Sequence, residues 1–238
     1  MIKRWIAGML ALVLAASLSL AAPVFAVEED AKETTTQSQQ EQTQNTQDTT
    51  EKEGEAESQD GLQIQATSAF LMDVSSGDVL YEMNAQEQLP PASITKIMTM
   101  LLTMEAIDRG EIHYDDVVTV SKNAASMEGS RVYLSEGEEI TVDELLKSIA
   151  VASGNDAAVA MAEYVGGTQE EFVEQMNKRA QELGMENTHF VNACGLDTDG
   201  HYSCAEDIAK MAAELMKHED IYKYTTIWTD SIRDGTFD

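Results

Sequence analysis

Basic residues are scarce in this chain. It carries 15 lysines and arginines against 43 aspartates and glutamates, a formal net charge of −28 over 238 residues. That balance opposes a polyanionic partner, so no nucleic acid is expected, and it gives no support to a basic membrane-binding patch. Cysteine is almost missing. Cys194 and Cys204 allow at most one disulfide, closing a short loop in an exported protein. His189 and His201 lie near them, yet the spacing matches no common zinc-ligand pattern, so no metal site is expected. His113 and His218 stand alone and are expected at the surface. Proline occurs three times, and two of the three are the adjacent Pro90-Pro91.

Long apolar runs are also lacking, apart from residues 6–22 near the N-terminus. That run is short for a comfortable membrane span, which argues against an uncleaved anchor. Lys3 and Arg4 precede it and Val24-Phe25-Ala26 follow it as a small-x-small site, the pattern of a secretory signal peptide over 1–26. Cleavage after Ala26 and export are expected. Residues 27–60 are Gln, Thr, Glu and Ser with almost no bulky apolar side chain. Such a segment cannot bury enough surface to offset its ordering entropy, so a disordered tether is expected. Residues 61–238 are enough for one domain with its own core.

Within that domain, 65–74 and 79–83 are β-like runs around the turn Ser75-Ser76-Gly77-Asp78, which predicts a hairpin. A strong helix is predicted over 94–107, ending near Gly110, and a short strand over 117–120. Thr141 and Glu144 form the pattern of a capping box, opening a helix with Leu145, Leu146, Ile149 and Ala150 at helical spacing. Ser153-Gly154-Asn155 interrupts it. Helix resumes over 156–165 until Gly166-Gly167, and further helices are predicted over 169–183 and 205–217. A hairpin followed mainly by helices suggests an α+β layer fold.

Ser93-Ile94-Thr95-Lys96 follows Pro90-Pro91-Ala92 and opens the first helix. A serine and a lysine three apart project from one helix face, about one turn apart. The prolines suit a helix entrance, where backbone N–H groups lack partners and the positive helix end favours charge developing on an oxygen. A lysine made easier to deprotonate there can serve as general base for a serine nucleophile. S-x-x-K alone also describes any serine at a helix start with a solvent-facing lysine. The polar break at Ser153-Gly154-Asn155 supplies a second element, either a helix-joining turn or a hydroxyl and a carboxamide placed beside Ser93. Ser121-Lys122-Asn123 shows the same spacing but begins a polar loop.

Ser93-x-x-Lys96 followed by Ser153-Gly154-Asn155 resembles the low-molecular-mass penicillin-binding proteins, the serine D-alanyl-D-alanine carboxypeptidases. The wider text agrees at 69–81 (AFLMDVSSGDVLY), 91–99 (PASITKIMT), 150–158 (AVASGNDAA), 190–196 (FVNACGL) and 200–208 (GHYSCAEDI). The resemblance implies a DD-peptidase/serine β-lactamase-like fold, an antiparallel sheet plus a helical subdomain. It implies Ser93 as nucleophile, Lys96 as its base, Ser153 as proton relay and Asn155 as a substrate-binding or lysine-orienting residue. The partners it implies are peptidoglycan stem peptides, with β-lactams as covalent inhibitors; no metal or organic cofactor is implied. The site would work outside the cytoplasm, at the cell wall or the outer face of the membrane.

One family element is missing from the text. Lys-Thr-Gly, whose lysine helps bind the substrate carboxylate and whose strand supplies the second oxyanion donor, occurs nowhere in the chain. The sequence is expected to be truncated before the later sheet strands and before the family's C-terminal, membrane-binding region. Two rivals stand beside this reading. A class A β-lactamase would turn nitrocefin over rapidly, and Ser153-Gly154-Asn155 in place of Ser-Asp-Asn argues against it. A non-catalytic wall-peptide-binding module would not be labelled covalently at Ser93.

Overall fold

The computed structural model describes residues 64–233 and Gly235. The expected signal peptide and tether, 1–26 and 27–60, lie outside the described residues.

Strands β1 (Ala69–Met72) and β2 (Val79–Met83) form the expected antiparallel hairpin, with Ala69 opposite Met83 and a shift of register after Leu71. The first strand is shorter than predicted. Asp73 ends it by accepting the N–H groups of Ser75 (2.8 Å) and Ser76 (3.0 Å), which folds the chain into the turn. Leu71, Val74, Val79 and Leu80 are exposed on this hairpin.

Helix α1 (Lys96–Asp108) is preceded by a 3-10 turn over Ala92–Thr95, so the helical path starts two residues earlier than predicted and in a tighter form. Pro91 stands at its entrance and Ala92 takes φ +48°. Met98, Met100, Leu101, Leu102, Met104 and Ala106 are all buried, so α1 is covered on every side. It is the central helix, packed against four later ones. Strand β3 (Val117–Thr119) leads to the short α2 (Lys122–Ala125), whose N-cap is Ser121. The rival serine and asparagine of the sequence are thereby accounted for: Ser121 accepts the Ala124 N–H and Asn123 donates to Glu163.

Strand β4 (Glu139–Thr141) pairs antiparallel with β3, Val118 opposite Ile140. Glu139-Ile140-Thr141 holds a single apolar residue, so unlike the Val-rich β3 this strand had no signature in the sequence. Helix α3 (Val142–Ala152) opens with the predicted capping box: Glu144 N–H donates to Thr141 Oγ1 and Thr141 N–H to Glu144 Oε2, each at 3.2 Å. Helices α4 (Asn155–Gly166), α5 (Gln169–Glu182), α6 (Ala205–Leu215) and the one-turn α7 (Tyr222–Thr225) follow. The hairpin packs on α6, and α4 packs on α1, α3 and α5. With aromatics at only 6% of the sequence, methionine fills the core: Met98, Met104, Met161, Met176 and Met211 are fully buried beside Phe172 and Phe190.

The disulfide that the sequence allowed is not formed. Cys194 and Cys204 are both free and buried, one in a turn against α1 and the other at the N-cap of α6. His113 is at the surface as expected. His218 is not alone: its Nδ1 lies 2.6 Å from Asp108 Oδ2 and its side chain is only 14% exposed.

Candidate active site

The start of α1 carries a polar stripe into an otherwise apolar core. Thr95, Lys96, Thr99 and Thr103 are all buried, and each finds a partner. Thr103 bonds back to the Thr99 carbonyl within the helix. The other three reach across to the 193–201 segment: Thr95 to His201, Lys96 to the Cys194 carbonyl and Thr99 to the Ala193 carbonyl.

Lys96 is the centre of the arrangement. It is 3% exposed, and its Nζ donates to Asn155 Oδ1 (2.7 Å), Cys194 O (2.7 Å) and Ser93 Oγ (3.1 Å). An ammonium has three donors, and all three are used. Burial pushes the Lys96 amine below its ordinary value, against the opposite pull of the Cys194 sulfur and the Asp156 carboxylate. Ser93 itself is exposed, on the second residue of the 3-10 turn, where a backbone N–H has no partner within the helix.

Asn155 is held in a fixed orientation. Its Oδ1 faces Lys96, its Nδ2 donates to Glu128 O at 2.6 Å, and its backbone N–H donates to Ser130 O at 2.7 Å. The Glu128–Ser130 strap passes so close that a Cβ on Gly129 would stand 2.8 Å from Asn155 Nδ2. Next in the chain, the buried Asp156 accepts the N–H groups of Val132 (3.1 Å) and Leu134 (2.9 Å), fixing the same loop to the start of α4. Ser153 caps α3 in a left-handed conformation, φ +54°. The structure thus brings Ser93, Lys96 and Asn155 together; no hydrogen bond joins the Ser153 hydroxyl to any of them.

Sequence reasoning missed the Cys194 carbonyl and the Thr95–His201 contact. His201 Nδ1 accepts the Val191 N–H (3.0 Å), so the ring hydrogen sits on Nε2, 2.8 Å from Thr95 Oγ1. Both ring nitrogens are therefore occupied by protein contacts. Burial holds His201 below its ordinary value, with His189 adding to the effect and Asp197 opposing it. The unfolded chain therefore binds more protons than the folded one just below the ordinary histidine value of 6.5. Stability from this contact is complete above that pH and is lost as pH falls toward the depressed folded value. Denaturant midpoints measured through this window should fall more steeply for the wild type than for His201→Gln; parallel curves would refute the assignment.

Comparison with known proteins settles the lineage. Residues 52–236 match the family model described as D-alanyl-D-alanine carboxypeptidase. The chain belongs to that family. Its relative DacF, a D-alanyl-D-alanine carboxypeptidase of Bacillus subtilis, is 55% identical over 175 residues, spanning 74% of this chain and 45% of the relative. The chain thus spans less than half the length of that relative. Among solved structures, penicillin-binding protein 6B of Escherichia coli superposes with a TM-score of 0.71 at 35% identity, over 77% of this chain and 60% of that one. Penicillin-binding protein D2 of Listeria monocytogenes, in its cefotaxime-bound form, gives 0.67 at 30% identity, over 75% of this chain and 73% of the other. The fold of this carboxypeptidase-family chain is that of the DD-peptidases and penicillin-binding proteins.

Proposed function

We propose that Ser93 is the nucleophile of an exported serine D-alanyl-D-alanine carboxypeptidase, which removes the terminal D-alanine of peptidoglycan stem pentapeptides. The observation that carries the reading is the buried Lys96 Nζ, 3.1 Å from Ser93 Oγ and fixed by two other acceptors. When Lys96 is neutral, Asn155 Oδ1 and Cys194 O take its two hydrogens, and the lone pair is left facing Ser93. Burial favours that neutral form. The amine accepts the Ser93 proton as Oγ bonds to the carbonyl carbon of the penultimate D-alanine. The C–N bond breaks, the leaving amine takes the proton that Lys96 accepted, and water then hydrolyses the ester on Ser93.

The Ser93 backbone N–H serves as one oxyanion donor. Asn155 orients Lys96; with Oδ1 and one Nδ2 hydrogen engaged, only its second Nδ2 hydrogen is left for substrate. β-Lactams acylate the same serine, a reading supported by the ampicillin- and cefotaxime-bound forms of the Listeria relative. The enzyme works outside the cytoplasm after removal of 1–26. Among the described residues no helix is long and apolar enough to cross a membrane.

The test is labelling of the chain with a fluorescent penicillin, beside Ser93→Ala and a circular dichroism spectrum. Label that depends on Ser93 supports the reading; a folded chain that takes none refutes it for this polypeptide. Hydrolysis is expected to be weak. These 238 residues contain no Lys-Thr-Gly, and a polypeptide working without the oxyanion donor that this strand gives the family should lose about 10²–10³ in rate. D-Alanine release from a diacyl stem pentapeptide should therefore be little above background, and release at a rate typical of an intact peptidase would overturn that expectation.

A further inference from the structure

No step above uses Asn192, yet its side chain makes more contacts with the backbone than any other near the site. Its Oδ1 accepts three successive N–H groups, those of Cys194 (3.2 Å), Gly195 (2.6 Å) and Leu196 (3.2 Å). Its Nδ2 donates to Leu196 O at 2.8 Å and lies 3.4 Å from Thr198 Oγ1. One carboxamide therefore closes the 192–196 turn from inside.

The consequence is directional. With these N–H groups turned in toward Asn192, the carbonyls of Ala193 and Cys194 face α1, where they accept Thr99 Oγ1 (2.6 Å) and Lys96 Nζ (2.7 Å). The same turn carries Gly195 onto Ala92, the residue before Ser93: a Cβ on Gly195 would stand 1.8 Å from Ala92 O. The turn thus meets the backbone at Ser93 and the amine of Lys96, while the hydrogen bonds of Asn192 stay within the turn and with Thr198.

We propose that Asn192 is a positioning residue for Lys96, acting through the Cys194 carbonyl that its hydrogen bonds hold in place. The inference rests on reading Lys96 as the base of Ser93, but its effect on Lys96 can be measured without any turnover. The charged and titratable groups that act on the Lys96 amine are the Asp156 carboxylate, from the start of α4, and the Cys194 thiol, from this turn.

The experiment is nuclear magnetic resonance of the ¹⁵N-lysine-labelled full chain, following the hydrogen exchange and the titration of the Lys96 Nζ group. Wild type is compared with Asn192→Ala, Asn192→Ser and, as control, Thr198→Ala. In Asn192→Ala the Nζ hydrogens should exchange about tenfold faster or more, as a fixed acceptor becomes free to open. The titration should depart from its wild-type position, because the turn that buries the amine and supplies one of its acceptors has loosened. Asn192→Ser, able to accept one N–H but not three, should fall between, and Thr198→Ala should match wild type.

Wild-type exchange and titration in a folded Asn192→Ala protein would overturn the proposal, since a merely structural asparagine lowers the melting temperature without altering Lys96 in the folded state. If Asn192→Ala does not fold, Asn192→Ser decides: faster exchange supports the role and unchanged exchange refutes it. Failure of the underlying reading is seen separately. If Asn192 variants free the Lys96 amine but Lys96→Met is labelled by penicillin at the wild-type rate, the positioning stands and the base assignment falls.

Discussion

Replacing Lys96 with methionine is expected to slow penicillin labelling of Ser93 by about 10²–10⁴-fold, the usual contribution of a general base. Methionine has nearly the length of lysine and suits a buried site, so packing is largely kept. What is lost is the amine 3.1 Å from Ser93 Oγ. A thioether donates no hydrogen, so Asn155 Oδ1 and Cys194 O lose their partner, at about 1–3 kcal/mol for each buried acceptor left unpaired. Removal of a buried charge offsets part of that cost. The pH dependence separates the two effects. Wild-type labelling should rise as Lys96 loses its proton, over a range below the ordinary lysine value because the amine is buried. Lys96→Met should show no such rise. Equal labelling rates and equal pH profiles in the two proteins would remove Lys96 from the mechanism.

Gly195→Ala should be the most damaging methyl group that can be added near the site. Gly195 holds φ +85°, where an L side chain costs roughly 1–2 kcal/mol. The new carbon would also stand 1.8 Å from Ala92 O, a backbone atom with no rotamer by which to yield. Overpacking of this kind adds about 1–3 kcal/mol, so a total near 3 kcal/mol or more is expected. The strain is relieved only by moving the turn off Ala92, which displaces Ser93 or withdraws the Cys194 carbonyl from Lys96. Thermal melts should show a large loss of stability, and the surviving folded fraction should label far more slowly than wild type. A variant that melts and labels like wild type would mean that the turn does not press on the serine's backbone as described.

How much of this was legible beforehand depended on the range of the interaction. The turn at 75–78, the capping box of Thr141 and Glu144, and the break at Ser153-Gly154-Asn155 are set by contacts within a few residues, and residue types at fixed offsets announce them. The pairing of Ser93 with Lys96 is of the same kind, one helical turn apart. Strand β4 escaped because Ile140 is its one apolar residue, where β3 has an apolar pair, and the 3-10 start of α1 escaped because its tight entry depends on Ala92 holding a positive φ.

The sequence by itself determined the five longer helices, the hairpin, the family and the serine–lysine pair, because periodicity, capping and motif spacing are local physics written in side-chain types; the one-turn α2 and α7 were not read from it. Tertiary structure decided how the amine is surrounded, although the family resemblance had already implied Asn155 beside it. Asn155 lies 59 residues from Lys96 and Cys194 lies 98 away, and the acceptor that Cys194 offers is a carbonyl that every residue possesses. No residue type can signal which carbonyl will be turned inward, or that His201 will be buried neutral against Thr95, or that two cysteines ten positions apart will face different partners. Those outcomes follow from burial, where each polar group must find a partner among whatever the packed chain brings to it.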